Sequence, residues 1–131
     1  IRAFIDECIA KARRTGYAET ILGRKRQIPD IKSKNPGRRA QAERLAVNTV
    51  IQGTAADMIK LAMIHVDAAL TKARLQARML LQVHDELVFD LFRAEAAEVE
   101  ALVREHMAEA ISLEVPIEVE IGTGENWLEA H

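Results

Sequence analysis

The residues most able to do chemistry stand together in Gln82-Val83-His84-Asp85-Glu86, between two apolar runs. Two adjacent carboxylates repel each other unless a cation or a proton sits nearby. A tight turn holds Asp85 at the edge of a sheet, and the strands on either side fix its position. Divalent magnesium takes one or two carboxylates and fills its other positions with water and phosphate oxygens, which makes Asp85 and Glu86 candidate metal ligands. The bland alternative is a polar hairpin turn with no ligand, since an isolated carboxylate pair is a weak signal.

A second pattern is Arg44, Asn48 and Gln52, repeated every four residues. On a helix that spacing turns each residue only about 40° from the last, so three polar side chains line up in one narrow row. Their donors suit the minor-groove acceptors, purine N3 and pyrimidine O2, which occupy similar places in every base pair. Such a row tests pair geometry without reading sequence; the alternative is an ordinary solvated face. Gly53, Ala55 and Ala56 follow it and permit close approach of another backbone or helix. A third feature is the basic run Arg24-Lys25-Arg26, with Lys32, Lys34, Arg38 and Arg39 beyond it. These can contact phosphates with salt-dependent, sequence-independent affinity. His65 and His106 fall near apolar helical stripes and are expected in the core or at its boundary, and His131 is terminal. No zinc spacing, nucleophile elbow or phosphate-binding glycine loop is present.

The elements that must position these groups follow from periodicity. Residues 2–15 carry apolar groups at Ala3, Phe4, Cys8, Ile9 and Ala12 before Gly16, which predicts a helix with a glycine stop. Short extended runs on either side of Gly23 predict a small hairpin. Asn35-Pro36 has the form of a cap followed by proline in the first helical turn. Residues 38–72 contain no proline and abundant Ala, Leu, Met and Ile, which predicts one helix. Unbroken, it would be about 52 Å long, against about 36 Å for the diameter of a compact globule of this size. Either it bends, with Gly53 as the candidate place, or the chain belongs to something larger; the second is expected. Arg78–Val83 and Glu86–Leu91 read as two strands joined at His84-Asp85, and residues 94–112 as an amphipathic helix with Ala97, Ala101, Leu102, His106, Ala110 and Leu113 near one stripe. Residues 115–121 alternate apolar and Glu around Pro116 and predict a strand with one wet face. Gly122 and Gly124 end it, and Trp127-Leu128 are expected to tuck the terminus back. The fold class that results is α+β, an antiparallel sheet packed with long helices and preceded by a small helix and hairpin.

Composition narrows the function classes. The 131 residues suit one domain or a piece of one, and a hydrophobic fraction of 49% excludes general disorder. No apolar run approaches the roughly 20 residues of a membrane span. Five aromatic residues are too few for a platform that grips single strands base by base. One cysteine, Cys8, forms no internal disulfide and no Cys-rich zinc site; with no leader ahead of Ile1, a reducing intracellular home is expected. The net charge of −2 hides an asymmetry: residues 11–44 hold eleven basic and three acidic residues, while residues 45–131 hold six basic and fifteen acidic. A polyanion-facing side joined to a carboxylate-bearing side fits that split, as does a salt-rich surface with no partner.

Taken in order, Gly16-Tyr17-Ala18-Glu19-Thr20 with Gly23-Arg24-Lys25-Arg26, Ala42-Glu43-Arg44 through Asn48, Gln52-Gly53-Thr54-Ala55-Ala56-Asp57, Gln82-Val83-His84-Asp85-Glu86-Leu87-Val88 and Gly124-Glu125-Asn126-Trp127 carry a resemblance over nearly the whole chain. The sequence resembles the carboxy-terminal part of family A DNA polymerases, the bacterial DNA polymerase I type. Val50 stands where that family often has proline. The resemblance implies that residues 1–37 are the end of the fingers and 38–131 the carboxy-terminal part of a palm. It implies that Asp85 is a catalytic metal-binding aspartate with Glu86 as supporting carboxylate, and that two Mg²⁺ ions serve the complete site. It also implies that Arg44, Asn48, Gln52 and His84 lie against primer–template DNA, with deoxynucleoside triphosphates as substrates and a bacterial, nucleoid-associated cytoplasmic setting. The family's first catalytic aspartate and the helix that supplies lysine and tyrosine to the incoming nucleotide are not in this sequence. A fragment inactive by itself, prone to self-association as a dimer, is therefore expected. A non-catalytic DNA-binding module, or a structural domain retaining the fold, is the alternative.

Overall fold

A computed structural model describes residues 1–130. The chain forms two compact units, Ile1–Asp57 and Met58 onward, with one long helix running through both.

In the first unit, α1 (Arg2–Thr15) ends as its glycine signal predicts. Gly16 takes φ 82° and returns its N–H to the Ala12 carbonyl, a left-handed stop that glycine adopts without steric cost. β1 (Tyr17–Glu19) and β2 (Lys25–Gln27) pair antiparallel, with Ala18 opposite Arg26, and the Ile28 N–H closes the hairpin on the Gly16 carbonyl. A 3₁₀ turn at Pro29–Lys32 buries Ile31. The core is small: Ala12, Ala18, Ile28, Ile31, Ala42 and Ala46, with Leu45 against it. Alanines bring the helices close, and the two buried isoleucines contribute most, about 2–3 kcal/mol each. α2 (Pro36–Ala73) starts at the predicted cap: the Asn35 side-chain oxygen accepts the Gly37 and Arg38 N–H groups at 2.9 and 3.2 Å. It is a single helical element with Gly53 inside it.

The second unit packs Val66 and Leu70 of α2 against Ala77, Val99 and Val103, with Met79, Phe89 and Leu91 of the hairpin region alongside. α2 stops without glycine. Arg74 takes φ 58°, its N–H returns to the Thr71 carbonyl, and the Leu75 N–H returns to Leu70; this is a Schellman arrangement with arginine at the left-handed position. β3 (Arg78–Val83) and β4 (Glu86–Asp90) form the predicted antiparallel hairpin, with a bulge at Leu80 where the register shifts between Met79 and Leu81.

Three expectations need correction. The helix expected over 94–112 is a 3₁₀ turn at Arg93–Glu95 followed by α3 (Ala96–Ala108), and its buried stripe is Val99 and Val103, while Ala97 and Ala101 are exposed. Within α3 the larger branched side chains take the core, while Ala110 of the expected stripe is buried just beyond the helix. Residues 115–121 form no strand among the described residues. Ile117, Val119 and Ile121 do alternate with exposed Glu118 and Glu120, but alternation sets only which way side chains face. A strand also needs a neighbour's ladder, and here Pro116 offers no N–H while the Val119 carbonyl accepts from Arg104. Finally, His65 is exposed, not in the core. The terminus does fold back as α4 (Trp127–Ala130), whose backbone closes on Gly122 and Gly124, although Trp127 and Leu128 stay exposed.

Candidate functional site

The carboxylate turn belongs to the second unit. Val83 pairs with Glu86, leaving His84 and Asp85 as a two-residue hairpin loop. Such loops need a positive φ at their first position to match the twist of the strands, and His84 supplies it at 55°. The Gln82 side-chain amide donates to the His84 carbonyl and braces the turn. Asp85 and His84 are exposed, and Glu86, at the start of β4, is half-buried. No cluster of three or more His, Cys, Asp or Glu able to hold a metal occurs among the described residues. This donor set therefore fits an ion that takes one or two carboxylates from this hairpin and completes its shell with water, phosphate or other ligands, as magnesium does. It does not form a closed cage.

The polar row lies in the first unit, on α2. Arg44, Asn48 and Gln52 are all exposed, while Ala42, Ala46 and Thr49 are buried on another face of the same helix. The row is thus left open along its length. The Thr49 hydroxyl is buried and has no hydrogen-bond partner among the described residues.

The basic residues divide into two kinds. Lys25, Arg26, Lys32, Lys34 and Arg38 are exposed, and the Lys25 ammonium stands 4.8 Å from the Tyr17 ring centroid. Arg39 is half-buried and donates to the Ser33 carbonyl at 3.3 Å. Arg24 is exposed too, but its guanidinium is held by bonds within the protein: Nε donates to Asp57 Oδ1 at 2.6 Å and Nη2 to the Gly53 carbonyl at 3.0 Å. Sequence reasoning missed that arrangement. Thr20 Oγ1 donates to Asp57 Oδ2 at 2.7 Å, and the Ile21 N–H donates to Thr54 Oγ1 at 3.1 Å. The available signal was Thr49, Gly53 and Asp57, small or polar residues four apart on a helix whose neighbouring stretch buries Ala42 and Ala46. Burial and then Glu7 push the Cys8 thiol above its ordinary range.

Comparison with known proteins identifies the family. The family model of DNA polymerase family A matches residues 1–129. DNA polymerase I of Mycobacterium tuberculosis (strain ATCC 25618 / H37Rv) is 50% identical over 127 residues, covering 97% of this chain and 14% of that protein. The thermostable DNA polymerase I of Thermus thermophilus is 48% identical over 130 residues, 99% of this chain and 15% of that protein. Among solved structures, the POL domain of Pol1 from M. smegmatis, in complex with DNA primer–template and dNTP, superposes with a TM-score of 0.95 at 50% identity, covering 98% of this chain and 23% of that one. The chain therefore spans about one-seventh of the curated relatives it matches. The chain belongs to DNA polymerase family A.

Proposed function

We propose that this chain is the carboxy-terminal fingers-and-palm portion of a template-directed DNA polymerase, with residues 1–37 closing the fingers and 38–131 forming the palm part. The observation that carries this reading is Asp85, exposed on a two-residue turn whose strands are anchored on an apolar cluster. Asp85, with Glu86 in support, would hold magnesium, which when bound would supply positive charge to activate a primer 3′-hydroxyl and stabilise the leaving pyrophosphate. The hairpin keeps Asp85 fixed, so little reorganisation is needed as charge develops. Arg44, Asn48 and Gln52, with His84, face the minor groove of the primer–template near the growing end and check pair geometry. Lys25, Arg26, Arg38 and Arg39 hold phosphates, and Arg24 adds only the part of its guanidinium that Asp57 and Gly53 leave open. The substrates are deoxynucleoside triphosphates, and the setting is the nucleoid of a bacterial cytoplasm. A second aspartate from elsewhere in the polymerase completes the ion pair, so the chain by itself is inactive. Among the described residues, no helix is long and apolar enough to cross a membrane.

Single-turnover primer extension by the complete polymerase carrying Asp85→Ala tests this. Extension should be abolished while DNA affinity is kept, because the interaction is made in the transition state. A loss smaller than about tenfold, roughly 1.4 kcal/mol, counts against a direct metal ligand.

A further inference from the structure

Three side chains converge on one turn of α2 directly after the polar row. Asp57, 8% exposed, receives Thr20 Oγ1 on one carboxylate oxygen and Arg24 Nε on the other, at 2.7 and 2.6 Å. Arg24 also reaches past Asp57 to the Gly53 carbonyl, 3.0 Å away, on the residue that follows Gln52. One turn back, Thr54 Oγ1 accepts the Ile21 N–H at 3.1 Å and donates to the Val50 carbonyl at 2.5 Å. All but the last, which lies within α2, join the tip of the β1–β2 hairpin to residues 53–57 of that helix. A hairpin pinned to a helix by apolar contact alone can slide by a fraction of an ångström. A two-oxygen clamp with a third bond to a backbone carbonyl cannot, because charge-assisted bonds have narrow geometry. Gly53 sharpens the fit, since a Cβ there would stand 2.7 Å from Thr20 Cγ2. The clamp therefore fixes the backbone from which Gln52 projects, and it does so from the hairpin that carries Lys25 and Arg26.

We infer that Arg24 and Asp57 are positioning residues that act through Gln52, holding it and the cationic hairpin at one spacing against the primer–template. The inference rests on the reading of Arg44, Asn48 and Gln52 as a minor-groove row. It assigns Arg24 a role inside the protein in addition to any phosphate contact. Groups that act as a unit are not additive, and that separates positioning from general support of the fold.

The test is a double-mutant cycle in the complete polymerase, read as the single-turnover rate and as primer–template affinity, on matched and mismatched primer ends. Asp57→Asn keeps an acceptor for Thr20 and removes the charge facing Arg24. It should lower the matched-end rate by about tenfold with little change in DNA affinity, and should add less than about threefold in a Gln52→Ala background. If its full effect multiplies onto Gln52→Ala, the clamp only supports the fold and the inference is overturned. If Gln52→Ala itself extends at the wild-type rate, the minor-groove reading falls and this inference falls with it. Should Asp57→Asn fail to fold, Arg24→Lys, at a half-exposed side chain, carries the same cycle with the same expected outcomes.

Discussion

Gly53→Ala sets two known effects against each other. In a helix interior, alanine is favoured over glycine by about 1 kcal/mol. At this position the new Cβ would meet Thr20 Cγ2 at 2.7 Å, Arg24 Nη2 at 3.4 Å and Thr49 Cγ2 at 3.8 Å. The last is ordinary contact, and the second lies at the edge of ordinary contact and asks at most a few tenths of an ångström of the half-exposed Arg24. The first is not negotiable locally, because Thr20 is buried and its hydroxyl is bonded to Asp57. Relief needs a shift of about 0.7 Å or more at the hairpin tip, and overpacking of that kind costs about 1–3 kcal/mol. Weakening the Thr20–Asp57 bond adds about 1.5 kcal/mol, the lower figure for a hydrogen bond to a charged group. The net expectation is destabilisation of the first unit by about 2 kcal/mol.

Thr20→Ser removes the offending methyl and keeps the hydroxyl, so it isolates the cause. In that background Gly53→Ala should be neutral or stabilising, by up to about 1 kcal/mol. Amide hydrogen exchange at Thr20 and Arg24, whose N–H groups bond within the hairpin tip, reads the difference directly. About 2 kcal/mol corresponds to roughly thirtyfold faster exchange for Gly53→Ala, restored in the double variant. Unchanged or greater protection in Gly53→Ala alone would refute the claim that Gly53 is set by the approach of Thr20.

Arg74→Gly should stabilise the second unit by about 1 kcal/mol, because arginine there holds a left-handed φ that glycine adopts freely; a lower thermal midpoint would show that the arginine side chain contributes more than its backbone costs. Lys11 and Glu19 are 2.9 Å apart, and their hydrogen bond holds Glu19 below the usual carboxylate range and Lys11 above the usual ammonium range. Stability from Glu19 is present above its unfolded value near 4.3 and is lost as pH falls through the lower folded value, while that from Lys11 is lost on the alkaline side, starting near 10.4; protection of β1 amides should show both limbs, and Glu19→Gln should delete the acid one. The isolated 131-residue chain should self-associate as a dimer through its second unit, where Leu80, Leu81, Phe92 and Leu128 are 58%, 46%, 57% and 88% exposed; strictly monomeric light scattering at high concentration would show that these residues do not drive pairing.

Local rules carried most of the fold. Gly16, Asn35-Pro36 and the two hairpins each announce themselves through residues whose backbone preferences act within a few positions, and the structure uses each in its announced way. The failures share a cause. The strand expected at 115–121 has the alternation but not the ladder, which is a property of a second segment. His65 was placed by its nearness to an apolar stripe, and the faces that other segments cover leave it exposed. The stripe read over 94–112 holds at Leu102 and Ala110 but not at Ala97 and Ala101, because packing against α2 and the hairpin takes Val99 and Val103 instead.

The site divides along the same line. Asp85 was legible because its whole setting is local, two apolar runs around a two-residue turn. The row at Arg44, Asn48 and Gln52 was legible because helical periodicity alone aligns it. The clamp was not, because Thr20 and Asp57 are 37 positions apart and neither type announces a partner. Their meaning comes from burial: an ionised carboxylate with a side chain only 10% exposed is costly unless opposite charge and hydrogen bonds meet it. Arg24 and Thr20 meet it on both oxygens. A buried aspartate inside that helix, unlike the exposed Asp67, is therefore a demand for a basic partner somewhere in the chain, and the basic run on the nearby hairpin is where such a partner is found. Read that way, Arg24-Lys25-Arg26 is not one uniform patch. Its first member answers a buried charge, and the next two remain exposed for an external one.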